Sequence, residues 1–492
     1  MRVFKAPPLI SVVVPVFNTR PEYLSEMALS VVEQSYPHWE LCLLDGGSEK
    51  PATLAALKEL SRLDKRIRVE RAKENLGIAG NTNLAIDMAR GAYVALLDHD
   101  DTLTPDALYW VADAVEKSGA EVIYSDEDKM QHEGKYLFTP HLKPDYSPEF
   151  LKSCNYFCHL MVIKTSLLKE IGGLRIGFDG SQDHDLALRA SWQAEKIYHI
   201  PRVLYHWRQD ANSMSHRNLE KCVDAGRRAV IDQLAREGVS GHVEVIHGRN
   251  CVTYDVIGAP QATILLWHEG SAAKLNKCRD LIQKSAGYEG FEIVVVEGDD
   301  RCRALNEAAQ RAAGDFLVFM DSGVEVERPG WLARWIGYCQ RETCLSVCPK
   351  LIDRRRRLAF AGYVVGVNPG VVVPQRGYPA DSWGYFGVKE LTHNVASSSW
   401  ALMIVKREDF LALDGFDESL PALADVDWCL RASKKLGGWH IYDPYFKAKT
   451  SGGGLWTKRD AAWEPFNNKW PELQDPYYNP QWSRENGNFT LL

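Results

Sequence analysis

Tyr93-Val94-Ala95-Leu96-Leu97-Asp98-His99-Asp100-Asp101 is the stretch on which the reading of this chain turns. A short unbroken apolar run has the length of a buried strand rather than a helix, and this one ends abruptly in carboxylates. Clustered acids repel one another and need a counter-charge. An exposed loop would supply it with water alone, whereas a divalent cation held against a phosphorylated ligand would supply it with chemistry. The surrounding sequence weighs one reading against the other.

Toward the N terminus the pattern alternates. Residues 9–16 are expected to form a strand closed by Pro15, followed by Asn18-Thr19-Arg20-Pro21, a helix start with proline at an early position. Residues 22–35 have helical spacing, and residues 40–44 form the next strand, ending at Asp45-Gly46-Gly47-Ser48. A third strand is expected at 67–70, a helix at 80–90 and a fourth strand at 92–97. Strands alternating with crossover helices predict an α/β fold with a mostly parallel central sheet flanked by helices. Ligands of such sheets lie beyond the carboxyl ends of the strands, where Asp45 and Asp98 both fall.

Downstream, a helix at 105–118 leads to a strand at 121–124 closed by Asp126, Glu127 and Asp128. Residues 135–156 read as a long loop over the open face, with His141, Lys143, Pro144, Asp145 and Tyr146 placed to shape a pocket. Asp183-His184-Asp185 precedes a helix at 186–193, where the helix dipole alone would favour carboxylates, so capping competes with catalysis. Val203-Leu204-Tyr205-His206-Trp207-Arg208 ends the pattern. Residues 216–258 read as a helix, a strand-like His242–His247 segment and a linker.

The pattern then restarts. Strands are expected at 262–267 and 291–297, a helix at 303–313, and Gly314-Asp315 leads into Phe316-Leu317-Val318-Phe319-Met320-Asp321. Arg90-Gly91-Ala92 leads in the same way to Asp98. Asp425-Val426-Asp427-Trp428-Cys429-Leu430-Arg431 echoes Asp183-His184-Asp185-Leu186-Ala187-Leu188-Arg189. The same order recurring after about 200 residues predicts an internal duplication of a whole domain. The expected division is a catalytic domain at 1–215, a helical linker at 216–258, a second, degenerate domain at 259–470 and a tail at 471–492.

Composition sets broad bounds. A length of 492 residues predicts two to four domains, and 45% hydrophobic with 25% charged residues is ordinary globular usage. A net charge of -7 speaks against nucleic acid as a partner, though the run Arg354-Arg355-Arg356-Arg357 is set either to touch phosphate or anionic lipid or to lie in a solvated turn. The first residues lack the apolar stretch of a signal peptide and no window is long enough to span a bilayer, so a cytoplasmic address is expected, compatible with peripheral attachment at the inner membrane face. Eleven cysteines without C-x-x-C spacing read as free thiols.

With these motifs in place, residues 10–213 resemble the large inverting family-two nucleotide-sugar glycosyltransferases of the A-type fold. The resemblance is carried by Ser11-Val12-Val13-Val14-Pro15-Val16-Phe17-Asn18, Asp45-Gly46-Gly47-Ser48, Glu74-Asn75-Leu76-Gly77 with Asn81 to Asn83, Leu97-Asp98-His99-Asp100-Asp101, Gly177 through Arg189, and His206-Trp207-Arg208, in that order. The stretch from Tyr124-Ser125-Asp126-Glu127-Asp128-Lys129 to Lys143-Pro144-Asp145-Tyr146 is similar to members that build bacterial surface polysaccharides such as O-antigen. The fold so implied is a pair of tandem Rossmann-like domains.

The resemblance also implies roles. Pro15, Phe17 and Asn18 would line the nucleotide pocket, Asp45 would accept a hydrogen bond from the base, and Asn75 and Gly77 would pass close to the nucleotide. Asp98 and Asp100, with His99 between them, would be the D-x-D that meets ribose, diphosphate and metal, Asp100 as the direct ligand. Asp183 would be the general base, with Asp185 as the fallback, and His206 would stand near metal and diphosphate. The implied cofactor is Mn2+ or Mg2+, since hard cations prefer carboxylate oxygens and stabilise a departing diphosphate. A carboxylate base opposite the leaving group gives inversion. The implied partners are a UDP or dTDP sugar and a glycan or lipid-linked saccharide acceptor, with a homodimer compatible.

The second copy departs from the pattern. Asp321-Ser322-Gly323 replaces the D-x-D, Asp425 and Asp427 stand for Asp183 and Asp185, and no histidine takes the place of His206 before the glycines at 452–454. Lys447 or Lys449 would have to serve instead, and loss of chemistry is the expectation. Two other readings stay open: a bifunctional polymerase with two working sites, and a non-catalytic saccharide-binding or scaffold protein. A nucleotidyltransferase lacks its basic triphosphate-binding segment near the N terminus.

Overall fold

The computed structural model describes residues 4–131, 136–209, 219–367, 370–451 and 463–492; the glycines at 452–454 and the start of the expected linker lie outside the described residues. The chain divides into two compact units. Unit 1 holds the residues up to Tyr146, Cys154–Gly238 and Val243–Asn250, and unit 2 holds Ser147–Ser153, Val239–His242 and Cys251–Leu492.

Unit 1 begins with β1 (Ile10–Val16), α1 (Pro21–Val32), β2 (Trp39–Asp45), α2 (Pro51–Leu63), β3 (Ile67–Arg71), α3 (Gly77–Asp87) and β4 (Tyr93–Leu96). Val12, Val13 and Val14 are fully buried, so both faces of β1 are covered, as a central parallel strand requires. Proline opens both α1 and α2, where its missing N–H costs nothing. The unit continues through β5 (Thr102–Leu103), α4 (Ala107–Ser118), β6 (Val122–Gln131), β7 (Tyr136–His141), β8 (Met161–Lys164), α5 (Thr165–Glu170), α6 (Gln182–Gln193), β9 (Ile197–Arg208) and the helix Leu219–Arg236.

The sheet is mixed rather than mostly parallel, which corrects the expected Rossmann-like arrangement. Its nine strands run in the order β3-β2-β1-β4-β8-β6-β9-β5, with β7 paired to β6. The first four are parallel, but β8 is antiparallel to both β4 and β6. Only four residues long, β8 lacks a periodic signal, and its insertion breaks the parallel run. Between β6 and β9 the register shifts on either side of Asp126, where Pro201 sits on β9 without an N–H to give. Such bulges bend the sheet into a curled half-barrel. The expected loop at 135–156 instead contains β7 and the buried helical turn Pro148–Ser153, the latter assigned to unit 2.

Unit 2 repeats this plan. After β10 (Gly241–Ile246) and β11 (Arg249–Tyr254), whose residues are divided between the units, come β12 (Ala262–Trp267), β13 (Phe291–Val296), β14 (Phe316–Asp321), β15 (Val324–Val326) and β16 (Cys344–Ile352). Then come β17 (Leu358–Phe360), β18 (Val364–Val367), β19 (Gly370–Val372), β20 (His393–Val395), β21 (Leu402–Lys406) and β22 (Trp439–Thr450). The order β13-β12-β14-β21-β16-β22-β15 reproduces that of unit 1, again with an antiparallel strand, β21, set between two others.

Polar constellations recur with the strands. In unit 1, Ser11 Oγ donates to Glu40 Oε1 at 2.6 Å and accepts from Gly91 N at 2.8 Å. In unit 2, Thr263 Oγ1 donates to Glu292 Oε1 at 2.8 Å and accepts from Gly314 N at 3.1 Å. Asn83 binds the backbone of Leu174 through both its amide atoms, as Asn306 binds that of Phe416.

Candidate active site

The carboxyl end of β4 carries the acids to the surface of unit 1. Asp101 turns inward: Tyr205 Oη donates to its Oδ2 at 2.5 Å and Arg208 N to its Oδ1 at 2.7 Å. Burial, joined by the charges of Asp98 and Asp100, pushes its carboxyl well above the usual range. It anchors the turn. Asp98 and Asp100 are left with partly exposed carboxylates that, among the described residues, receive no hydrogen bond. His159 Nε2 lies 3.8 Å from Asp98 Oδ2, and His99 Nδ1 3.6 Å from Asp100 Oδ1. His99 Nδ1 is itself buried without a hydrogen-bond partner among the described residues.

Three consecutive acids on β6 each take up histidine. Asp126 Oδ1 meets His199 Nε2 at 2.9 Å and accepts from Lys143 N at 2.7 Å. Asp128 Oδ1 meets His206 Nδ1 at 2.5 Å. Glu127 is flanked by His141 Nδ1 at 3.1 Å and His159 Nδ1 at 2.9 Å, with Lys143 Nζ at 3.8 Å. Burial alone would raise Glu127, yet the Lys143 charge and the two histidines hold it well below the usual range. Burial likewise works against the His159 imidazolium, but its bond to Glu127 and the charges of Glu127, Asp98 and Asp101 lift it to about 9. His159 thus bridges Glu127 and Asp98 and stacks on Tyr205 at 4.6 Å. Sequence reading missed it, because a single histidine after an aromatic stretch has no spacing to mark it.

Asp183 and Asp185 part company. Asp183, in the first turn of α6, accepts from Asn155 Nδ2 at 2.9 Å and stays partly exposed. Its charge, with that of Asp100, adds to burial in raising Asp98, so Asp183 stands within electrostatic reach of the strand-end acids. Asp185 is buried, and its oxygens are taken by Arg175 Nε at 3.0 Å and Arg189 Nε at 2.8 Å. The fallback role expected for Asp185 lacks a free oxygen to support it.

The expected nucleotide-side residues serve the loops around the other strand ends. Asn18, at φ 52°, accepts from Glu49 N at 2.9 Å and Lys50 N at 3.1 Å, organising the entry to α2. Asp45 is buried, with Oδ1 accepting from Ser48 N at 2.7 Å and Oδ2 lying 3.3 Å from Arg71. Asn75 accepts from Gly77 N and from Asn81 Nδ2, each at 2.9 Å, which shapes the start of α3. Phe17 is exposed beside partly buried Pro15.

Two sets of residues bear on metal binding. Glu127, Cys158 and His159 place ligand atoms within 4.8 Å of one another. Each is already engaged, however: Glu127 by its histidines and Cys158 by Asn155 O at 2.8 Å, with burial pushing the thiol well up. Asp98 and Asp100 fit a hard divalent cation better, because their oxygens are unspent. The Asp128 bond to His206 Nδ1 leaves the other ring nitrogen available, the arrangement usual for a metal-ligating imidazole.

In unit 2 the counterparts differ. Asp321 accepts from Gly323 N at 2.7 Å and lies 3.5 Å from Arg301 Nη1. Asp425 is buried, accepting from Trp400 N at 3.1 Å and Val426 N at 2.9 Å. Asp427 pairs with Arg431 and Lys469, each at 2.7 Å. None of these acids is left unspent as Asp98 and Asp100 are.

Residues 11–170 match the family described as Glycosyl transferase family 2. The chain is 34% identical over 538 residues to an uncharacterized protein, y4gI, of Sinorhizobium fredii, covering 98% of this chain and 58% of that protein. It is 34% identical over 459 residues to the O-antigen biosynthesis protein RfbC of Myxococcus xanthus, covering 86% of this chain and 36% of that one. The chain therefore spans little more than half of the first relative's length and about a third of the second's. Among solved structures, S. aureus TarS in complex with UDP-GlcNAc is 19% identical with a TM-score of 0.39, covering 46% of this chain and 66% of that chain.

Proposed function

We propose, taking residues 11–170 as a glycosyl transferase family 2 domain, that this chain transfers a sugar with inversion from a nucleoside diphosphate donor to a growing glycan or lipid-linked saccharide. The observation that carries the reading is the pair of unspent carboxylates, Asp98 and Asp100, at the end of β4 with Asp183 in electrostatic reach. The likeness to an O-antigen biosynthesis protein supports a surface-polysaccharide acceptor. A cytoplasmic setting suits such a donor, and no helix among the described residues is long and apolar enough to cross a membrane.

Asp98, Asp100 and His206 would hold Mn2+ or Mg2+, which when bound offsets the charge developing on the departing diphosphate. Phe17, Asn18, Asp45, Asn75 and Gly77 shape the rim on the nucleotide side. Asp183, oriented by Asn155, takes the proton of the acceptor hydroxyl as that oxygen attacks the anomeric carbon from the face opposite the leaving group. Asp185 holds its helix in place through Arg175 and Arg189. Unit 2 is a degenerate duplicate: its D-x-D is broken at Gly323 and Asp321 leans on Arg301. That arrangement disfavours a second working transferase site.

The test is release of nucleoside diphosphate from UDP, dTDP and GDP sugars with Mn2+, by the wild type and Asp100→Ala. Acceptor-dependent release abolished in the variant supports the reading. Equal release by both, or no binding of any donor, would overturn it.

A further inference from the structure

Unit 2 lacks the second acid and the histidine that unit 1 offers a cation. In unit 1, Thr102 pairs with His206 across β5 and β9. In unit 2, Glu325 pairs with Lys449 across β15 and β22, so a lysine occupies the ladder position of the histidine. Gly323 stands where Asp100 does. A Cβ there would lie 2.6 Å from Ser451 Oγ, 3.0 Å from Asp321 Oδ1 and 3.3 Å from Lys274 Nζ, so the space for a second acidic ligand is already taken. Asp321, the surviving acid, faces Arg301.

A cavity of about 370 Å³ opens between the tip of the β16–β17 hairpin and the end of β22. Asp353, Arg354, Arg355, Arg376, Thr450 and Ser451 line it. The tip is the four-arginine run. Arg356 pairs with Asp381 at 2.7 Å and Arg357 donates to Gly377 O at 3.3 Å. The lining carboxylate, Asp353, spends its Oδ1 on the backbone N–H groups of Arg355 and Arg357, both at 2.8 Å. Among the described residues, the guanidinium groups of Arg354 and Arg355 form no ion pair. Like charges gathered round a concavity repel one another, and within a chain of net charge -7 the cluster is a local inversion. A solvated turn would place arginines along a convex tip; these face a cavity that hydroxyls complete.

We propose that this cavity binds a diphosphate group directly, without a divalent cation. Planar guanidinium groups match phosphate oxygens in pairs. The volume lies in the range of small-ligand sites, roughly 300–1,000 Å³. In this unit, arginine takes over the charge neutralisation that a D-x-D delegates to a metal. The ligand is a soluble diphosphate or the diphosphate headgroup of a lipid-linked saccharide, which share the chemistry recognised.

The test is calorimetric titration of inorganic pyrophosphate into the full chain in the presence of EDTA, using the wild type, Asp100→Ala and the double variant Arg354→Ala/Arg355→Ala. The wild type and Asp100→Ala should bind alike, which separates this site from the one proposed in unit 1. The double variant should lose about tenfold in affinity for each guanidinium removed, with an unchanged thermal midpoint because both side chains are exposed. Absence of binding in EDTA, or wild-type binding by the double variant, would overturn the proposal. Phosphatidylcholine vesicles with and without a polyprenyl diphosphate identify the source. Sedimentation with the loaded vesicles, reversed by pyrophosphate, supports a lipid headgroup; pyrophosphate binding without sedimentation supports a soluble diphosphate.

Discussion

At the scale of single residues, the candidate site separates groups that look alike in sequence. Asp98, Asp100 and Asp101 stand in one motif, yet Asp101 is consumed by Tyr205 and Arg208 while the carboxylates of the other two receive no hydrogen bond among the described residues. Replacing Asp100 by alanine should lower turnover by roughly 10²-fold or more with the fold intact, read as donor turnover beside circular dichroism. Asp183 and Asp185 make a sharper pair. Asp183→Asn removes the proposed general base and should cost about 10²–10⁴-fold in kcat while leaving KM for the donor near its original value. Asp185→Asn should act on stability instead, because Arg175 and Arg189 would lose a buried counter-charge, at a cost of about 3–5 kcal/mol. Denaturant unfolding and steady-state kinetics on both variants distinguish the roles. If Asp185→Asn were stable and inactive, and Asp183→Asn active, the assignments would have to be exchanged.

At the scale of elements, two glycines fix how the crucial strands start. A Cβ on Gly91 would lie 2.6 Å from Leu9 O and 2.8 Å from Ser11 N, and one on Gly314 would lie 2.6 Å from Thr263 N. Backbone cannot yield there as a side chain can, so Gly91→Ala and Gly314→Ala should each destabilise by about 1–3 kcal/mol, measured as a shift in denaturant midpoint. A neutral effect of both would mean that the strand approach is looser than these distances describe. The same positions explain what was legible in the sequence. The echo of Gly91 in Gly314, and of Asp185 and Arg189 in Asp427 and Arg431, reflects bonds that each unit makes, so it survives as letters. The β4 motif was legible because buried apolar runs and strand-end acids are local features. The mixed sheet was not, since β8 is four residues long and its direction is set by partners far along the chain. His159 was hidden for the same reason: Glu127 reaches it across 32 positions. Asp126, Glu127 and Asp128 read as the end of a strand, but the strand continues to Gln131, with a histidine ring nitrogen in hydrogen-bond reach of each acid.

At the scale of the whole molecule, pH acts on unit 2 through two buried groups of opposite sign. Burial, only partly offset by backbone N–H donors, raises Asp425 from 3.8 to about 6. Burial lowers His440 from 6.5 to about 4, against its contact with Cys429 O. Between these limits the unfolded chain has released the Asp425 proton while the folded one retains it, so this group costs stability as pH rises. The unfolded chain holds the His440 proton where the folded one has lost it, so that group contributes stability as pH rises. Each slope is about 1.4 kcal/mol per pH unit, and over the shared window from about 4 to about 6 the two nearly cancel. His393, which burial also lowers to about 4, adds an upward slope of the same size, so the wild type should gain stability with rising pH by about 1.4 kcal/mol per unit in that window. Asp425→Asn should steepen that rise, and His440→Gln should flatten it. Tryptophan fluorescence reports the right unit: Trp428 lies 6.2 Å from the His440 ring, and Trp400 N donates to Asp425. Thermal midpoints of the three proteins at a series of pH values would show one variant steeper and the other flatter than the parent. If all three curves ran parallel, these two groups would not be ionising across the fold as their burial requires.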